Sequence, residues 1–305
     1  MNCCIFAGQG AQAPGMGRDF AETDAEARAL FDRAGAVLGF DLAKVCFEGP
    51  AEELTKSNVC QPAIFVTSYV AYLALQKKRP TEFACAAGLS LGEWGALCAA
   101  GVLDFESTLT VLEARGRFMQ EACEAVPSGM VAIVGASADQ LKEICSRTGC
   151  TVANINSAAQ QVLSGSKDAI ASAVAAAKEL GVKRAIPLAT AGAFHSPFMA
   201  PAREKLAPVV EKVAFSAPKI PVLSNVTGKP HSSDPGAIKA AMLEQVTGTT
   251  NWAADVECAK SLGCTTFVEF GPGKVLSGLV KKIDPSLATL NVADLASLDA
   301  TVAAL

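Results

Sequence analysis

Gly88-Leu89-Ser90-Leu91-Gly92 constrains this chain more than any other stretch. It closes the short, uncharged apolar run 83–87 and opens a segment in which Leu91, Trp94, Leu97 and Cys98 recur with helical spacing. A buried strand, a sharp turn and a helix with one buried face give G-x-S-x-G the setting of a nucleophile elbow. The glycines allow the turn and a close approach of backbone. The hydroxyl of Ser90 then stands at a helix N-terminus, where free N–H groups and the positive dipole end favour a developing oxyanion. The competing reading is a serine that merely caps a helix in a Gly-bounded turn.

A serine needs a base to act as a nucleophile near neutral pH. The chain has two histidines. His231 lies in the polar, Pro/Gly-rich stretch 228–235 and is expected at the surface. His195 lies in an uncharged segment of small and aromatic residues, 189–199, and is expected to be partly buried. That makes it the better base for Ser90.

Helical phase singles out Arg115. Val111, Leu112, Phe118, Met119 and Ala122 form one apolar stripe, and Arg115 falls within it, whereas Arg117 falls on the polar face. A buried guanidinium needs an anion or strong acceptors. Two readings stand: an ion pair with an internal acid such as Glu93, or a bidentate clamp for a substrate carboxylate.

Half of the 305 residues are hydrophobic, enough for a large core, and the net charge of −4 with no basic run argues against nucleic-acid binding. The eleven cysteines are scattered, mostly in apolar segments, with no C-x-x-C. With only two histidines, this points to reduced buried thiols in a cytoplasmic-type compartment, not to a metal site. No signal peptide is read before the first strand. Residues 57–76 carry no charge, but Asn58, Gln61, Pro62, Thr67 and Ser68 interrupt them, so a buried helix is expected, not a membrane span.

The pattern along the chain predicts a strand at 3–7, then a glycine turn in which Gly8, Gly10 and Ala13 imitate a dinucleotide fingerprint. Pro14 follows at once, so the turn reads as backbone brought close to the active centre. Helices are expected at 21–38, from Glu52, from Pro62 and at 108–124, with strand, elbow and helix between the last two. Residues 129–188 then read β-α-β-β-α-β, a ferredoxin-like order. After them come a helix at 203–213, a strand at 222–225, helices at 237–245 and 252–262, a strand at 266–270, the Gly271-Pro272-Gly273 turn and a last helix. The expected fold is α/β: a large α/β-hydrolase-like domain with a mostly parallel sheet, residues 1–126 and 190–305, and an inserted small ferredoxin-like subdomain, 127–189.

These pieces together resemble the malonyl-CoA:acyl-carrier-protein transacylases and the acyltransferase domains of fatty-acid and polyketide synthases. The resemblance rests on Phe6-Ala7-Gly8-Gln9-Gly10-Ala11-Gln12, Gly88-Leu89-Ser90-Leu91-Gly92-Glu93, Glu113-Ala114-Arg115-Gly116, Asn154-Ile155-Asn156-Ser157, Gly192-Ala193-Phe194-His195-Ser196, Gln245 before Trp252, and 268–276. Leu89 stands where many members carry histidine, and Thr249-Thr250-Asn251 where relatives often carry proline. The resemblance implies a ping-pong transfer of malonyl from malonyl-CoA to the phosphopantetheine of acyl carrier protein. Ser90 is then the nucleophile and His195 its base. The backbone N–H groups of Gln9 and Leu91 form the oxyanion hole, Arg115 holds the malonyl carboxylate, and the backbone carbonyl of Gln245 orients His195. Phe194, directly before the base, would exclude a methyl branch at the α-carbon, because methylmalonyl users tend to carry serine there. No metal or redox cofactor, nucleic acid or membrane is implied, and a monomer is expected. The compartment is expected to be the cytoplasm, or a plastid or mitochondrial lumen if a transit peptide has been removed.

Two rivals remain at this level. An α/β-hydrolase-type esterase would place its histidine near the C-terminus after an acid, and would not need an inward arginine. A non-catalytic binding module built on the 8–13 turn would leave Ser90, Arg115 and His195 without a purpose.

Overall fold

Strand β1, Asn2–Phe6, buries both of its faces: Cys4 and Phe6 join one apolar cluster, Cys3 and Ile5 another. Such a strand belongs in the middle of a sheet covered by helices on both sides. The computed structural model describes all 305 residues, Met1–Leu305. After β1 the chain runs through α1 (Arg18–Thr23), α2 (Ala25–Leu38), α3 (Leu42–Glu48), α4 (Ala51–Thr55), α5 (Ser57–Lys78), β2 (Cys85–Gly88), α6 (Leu91–Ala99) and α7 (Phe105–Ala125). Next come β3 (Ser128–Val134), α8 (Ala138–Thr148), β4 (Thr151–Ser157), β5 (Gln160–Ser166), α9 (Lys167–Glu179) and β6 (Arg184–Pro187). A 3-10 turn, Pro197–Met199, leads to α10 (Ala200–Lys212), β7 (Leu223–Ser224), β8 (Lys229–Pro230), α11 (Pro235–Glu244) and α12 (Trp252–Ser261). The chain ends with β9 (Thr266–Phe270), α13 (Val275–Ile283), β10 (Ala288–Val292) and α14 (Leu295–Ala304).

The first sheet is parallel throughout, in the order β10-β9-β1-β2, and Val222 adds a parallel bridge to Ala86 of β2. Side chains of its inner strands alternate between the two clusters: Val268 and Phe270 face one way, Phe267 the other. One face is covered by a core that takes in buried residues of α2, α5, α6, α7 and α10, the other by α12 and α13. The second sheet is antiparallel, in the order β4-β5-β3-β6, with α8 and α9 packed on it around a cluster of its own. That is the ferredoxin-like arrangement expected from the sequence.

Four expectations need correction. The helix expected over 21–38 is two, because Asp24 leaves the helical region and accepts the N–H of Glu26 as the cap of α2. The long helix begins at Ser57, not Pro62; proline removes one ladder donor, but the burial of Val59, Cys60, Ala63 and Ile64 outweighs that loss. That helix, α5, is the one helix long and apolar enough to cross a membrane, and 72% of its most apolar window is buried within the fold. The strand expected at 222–225 is only two residues of a hairpin with β8. Beyond the supposed last helix lie β10 and α14. β10 is a sheet-edge strand with a mixed, half-exposed pattern, so its sequence carries no clear period.

Candidate active site

The carboxyl ends of β1 and β2 lie side by side, Phe6 in register with Gly88, and the chain turns there into α6 at Ser90. Ser90 has φ 56° and ψ −103°, a conformation that L residues avoid. Glycine is required on both sides of it. A Cβ on Gly88 would lie 2.1 Å from the carbonyl carbon of Gly92, and one on Gly92 would lie 2.1 Å from the carbonyl oxygen of Phe6. The strained turn is pinned by Asn225, just after β7. Its Oδ1 accepts from the N–H of Ser90 at 2.7 Å, and its Nδ2 donates to the carbonyl of Gly88 at 2.8 Å. The same Nδ2 also reaches Asp255 Oδ2 at 2.8 Å. Burial pushes the Asp255 carboxyl well above the usual carboxylate range.

His195 comes from the segment between β6 and the 3-10 turn and also has positive φ, 55°. The carbonyl of the preceding Phe194 is held by the hydroxyl of Ser164 at 2.6 Å, which ties the segment to β5. The imidazole spans two partners: Nδ1 is 2.8 Å from the carbonyl of Gln245, and Nε2 is 2.7 Å from Ser90 Oγ. A carbonyl can only accept, so Nδ1 carries the proton and Nε2 is free to accept from the serine. Burial, and then the field of Arg115, lower the imidazole to about 4. His195 is therefore neutral at pH 7, the form a base needs.

Arg115 is fully buried on α7, as its helical phase requires. Its Nη1 donates to Gln61 Oε1 at 2.7 Å, and its Nη2 to Ser90 Oγ and Gln245 Oε1, each at 3.0 Å. No carboxylate pairs with it directly, and burial lowers it to about 10, partly offset by Glu93. Glu93 itself is one amide away. Gln245 stands between them, its Nε2 donating to Glu93 Oε2 at 2.6 Å. The sequence reading that paired Arg115 with Glu93 therefore gives way to an indirect contact. The other oxygen of Glu93 meets His231 Nε2 at 2.6 Å, with side-chain exposures of 0% and 2%. This corrects the surface position expected for His231: the β7–β8 hairpin folds the ring inward onto Glu93.

A cleft of about 610 Å³ opens over these groups. Ser90, His195, Gln9, Phe194, Asn154 and Asn156 are among its walls. The N–H groups of Leu91 and Gln9 have no acceptor within the chain, so both are available to an oxygen near Ser90. Gln9 is steadied through its side chain, which accepts from Gln61 Nε2 at 3.3 Å and donates to Ser57 Oγ at 3.3 Å. The glycine turn at Gly8 meets the elbow closely, since a Cβ there would be 2.7 Å from the carbonyl oxygen of Leu89. A larger groove, about 740 Å³, lies between α1, α2, α5 and α14, but no nucleophile–base pair lines it. Nearby thiols are poor competitors for Ser90: burial pushes Cys98 up to about 12, and contact with Cys264 holds Cys85 at about 12.

Ser90, His195, Gln9 and Phe194 thus line the cleft, and Arg115, Gln245 and Leu91 lie buried directly behind Ser90. Sequence reasoning missed Asn225, Gln61, Thr250 and the inward place of His231. Thr250 Oγ1 lies 3.4 Å from His195 Nδ1, and its carbonyl accepts from the N–H of Ile155, joining the site to β4. Gln61 had a readable signal, an amide inside an uncharged buried helix, which demands polar partners.

Residues 3–298 match the model of the acyl transferase domain family. The malonyl CoA-acyl carrier protein transacylase of Bacillus subtilis (strain 168) is 40% identical over 295 residues, covering 95% of this chain and 92% of that protein. The acyl carrier protein S-malonyltransferase of Vibrio cholerae is 38% identical, with a TM-score of 0.93 over 98% of this chain and 99% of the other. A malonyl-transacylase solved in complex with its type II PKS acyl-carrier protein is 36% identical, with a TM-score of 0.95 over 100% and 99% of the two chains. With a strained serine elbow, a neutral histidine and a buried arginine at its centre, the chain belongs to the acyl transferase domain family, among the malonyl CoA-acyl carrier protein transacylases.

Proposed function

We propose that this chain transfers a malonyl group from malonyl-CoA to the phosphopantetheine thiol of acyl carrier protein, through an ester on Ser90, for fatty-acid or polyketide synthesis. The observation that carries the reading is Arg115: a fully buried guanidinium without an anionic partner, 3.0 Å from Ser90 Oγ. An uncompensated buried cation is costly, and a substrate carboxylate would supply its missing counter-charge. A donor with a free carboxylate next to its thioester fits that need. The names of the relatives point to the same donor and acceptor.

On this reading Ser90 Oγ attacks the thioester carbonyl while its proton moves to His195 Nε2. Leu91 and Gln9 N–H groups stabilise the oxyanion, and the Gln245 carbonyl holds the imidazolium by its Nδ1–H. The C–S bond breaks and His195 returns the proton to the coenzyme A sulfur. The phosphopantetheine thiol then gives its proton to His195 and attacks the ester. The C–O bond breaks and Ser90 recovers its proton. Every group named comes from one chain, which supports a working monomer. The distinct cluster under β3–β6 supports a separate subdomain at 127–189 inserted between 1–126 and 190–305. Eleven free thiols suit a reducing compartment such as the cytoplasm.

Intact-mass measurement after mixing with malonyl-CoA tests the reading. The wild type should gain one malonyl group, lose it on addition of holo acyl carrier protein, and Ser90→Ala should gain none. A malonyl adduct on Ser90→Ala removes the nucleophile assignment, and loss of the adduct to water, not to the carrier protein, makes the chain a hydrolase.

A further inference from the structure

The buried pair Glu93–His231 lies outside the reacting groups yet is wired to them through one amide. Gln245 makes five polar contacts at the centre, the weakest from its Nε2 to Asn225 Oδ1 at 3.5 Å. Its carbonyl takes the Nδ1–H of His195, its Oε1 takes Nη2 of Arg115, and its Nε2 donates to the Ser90 carbonyl at 2.8 Å and to Glu93 Oε2 at 2.6 Å. The side-chain amide can present its ends in two ways, and the neighbours decide which. The Ser90 carbonyl can only accept, and Glu93 Oε2 lies on the same side of the amide, so both take Nε2. Oε1 is thereby forced toward Arg115. Glu93 holds this orientation only while its own carboxylate is fixed, and its second oxygen has one protein partner, His231 Nε2. His231 in turn is set by the β7–β8 hairpin, where its N–H donates to the Val222 carbonyl at 2.8 Å.

We propose that Glu93 and His231 are positioning residues for donor selection: the buried pair orients the Gln245 amide, and Gln245 holds Arg115 where a malonyl carboxylate binds. The inference rests on the function proposed above. It gives the hairpin two tasks at the site, since the turn between its strands also carries Asn225. Loss of either member of the pair loosens the shortest anchor of Nε2, the 2.6 Å contact to Glu93, and leaves the Ser90 carbonyl and Asn225 Oδ1 alone to oppose a turn that would bring the N–H end toward the guanidinium. Arg115 would then lose an acceptor and gain a repulsive neighbour. The penalty should fall on donors that need Arg115 and largely spare those that do not.

The test compares acylation rates of Ser90 from malonyl-CoA and from acetyl-CoA, by intact mass, in the wild type and in Arg115→Ala, His231→Leu, His231→Gln and Glu93→Gln. His231→Leu should lower malonyl loading about tenfold or more, the scale of one hydrogen bond to a charged group. Acetyl loading should fall much less, so the malonyl-to-acetyl ratio drops. His231→Gln keeps a donor near Glu93 and should recover most of the ratio. Glu93→Gln offers a donor as well as an acceptor to Gln245, and should lower the ratio even if His231→Leu fails to fold. Unchanged ratios in folded His231→Leu and Glu93→Gln, or equal losses on both donors, overturn the proposal. A malonyl preference that survives Arg115→Ala would instead remove the carboxylate-binding role of Arg115, the part of the proposed function on which the inference rests.

Discussion

Ser90 Oγ accepts a hydrogen bond from Arg115 Nη2 at 3.0 Å while it lies 2.7 Å from His195 Nε2, so the nucleophile is shared between a cation and a base. Both neighbours matter to its reactivity. The cation takes up an oxygen lone pair, and its field is the second cause, after burial, of the low imidazole pKa. A substrate carboxylate that pairs with Arg115 would relieve both effects at the moment the thioester arrives. The donor's own charge then helps to activate the serine.

The pH dependence follows from the same geometry. Because the imidazole is lowered to about 4, its neutral form persists well below the ordinary histidine range. kcat/KM for malonyl-CoA reports the free enzyme, so its acidic limb should fall near pH 4 to 5, not near 6.5. In Arg115→Ala one cause of the lowering is gone, and the limb measured with acetyl-CoA should move upward. A wild-type limb close to 6.5 would show that His195 is not held in this environment during acylation.

Arg115→Ala should cost malonyl transfer far more than acetyl transfer. A buried carboxylate deprived of its cation loses about 3–5 kcal/mol, on the order of 10²–10³ or more in rate if the loss appears in the transition state. Arg115→Lys should recover little, because one ammonium cannot reproduce contacts to Gln61, Gln245 and Ser90 from two separate nitrogens. Equal losses on the two donors would make Arg115 a structural residue.

Residues whose role is set by local pattern were legible in the sequence. Gly88 and Gly92 bracket Ser90 between an apolar strand and an amphipathic helix, so the elbow could be read directly. Arg115 was placed inward by helical phase, and His195 was singled out because only one other histidine exists. Asn225 and His231 were not legible. They flank strands of two residues each, too short to show a period, and their roles arise from partners more than a hundred positions away in sequence, Ser90 and Glu93. Asp24 was misread for a different reason: within a helical pattern an aspartate reads as a surface residue unless its backbone departs from the helix, and that departure is a tertiary fact.

Asn225 is expected to set the elbow rather than the chemistry. Asn225→Ala would leave the Ser90 N–H and the Gly88 carbonyl without buried partners, costing on the order of 2–4 kcal/mol for the two. Asn225→Asp is expected to be worse, since a carboxylate would face both the Gly88 carbonyl and Asp255. Denaturant unfolding and Ser90 malonylation should fall together in both variants. Wild-type stability with wild-type loading in Asn225→Ala would mean that the strained turn at Ser90 holds without this clamp.

Phe194 is expected to restrict the donor at its α-carbon. Its ring is buried and lines the cleft with Ser90 and His195, and its carbonyl is fixed by Ser164, so the ring has little freedom to withdraw. Malonyl-CoA has two hydrogens at that carbon, and methylmalonyl-CoA places a methyl group there. One methyl in an apolar pocket changes discrimination by about 1–3 kcal/mol, or roughly 10–200-fold, and a clash with a fixed ring raises that. Malonyl should therefore be preferred by at least about tenfold when the two donors compete for Ser90. Phe194→Ser should narrow the gap, but it also removes a ring that packs in the main core, a change that costs about 3–5 kcal/mol for Phe→Ala. Phe194→Leu separates the two effects: it keeps an apolar side chain and shortens it, so the fold should hold while the methylmalonyl rate rises. If the wild type shows no preference, or if neither variant moves the ratio while both load malonyl normally, selection at the α-carbon lies with another wall of the cleft.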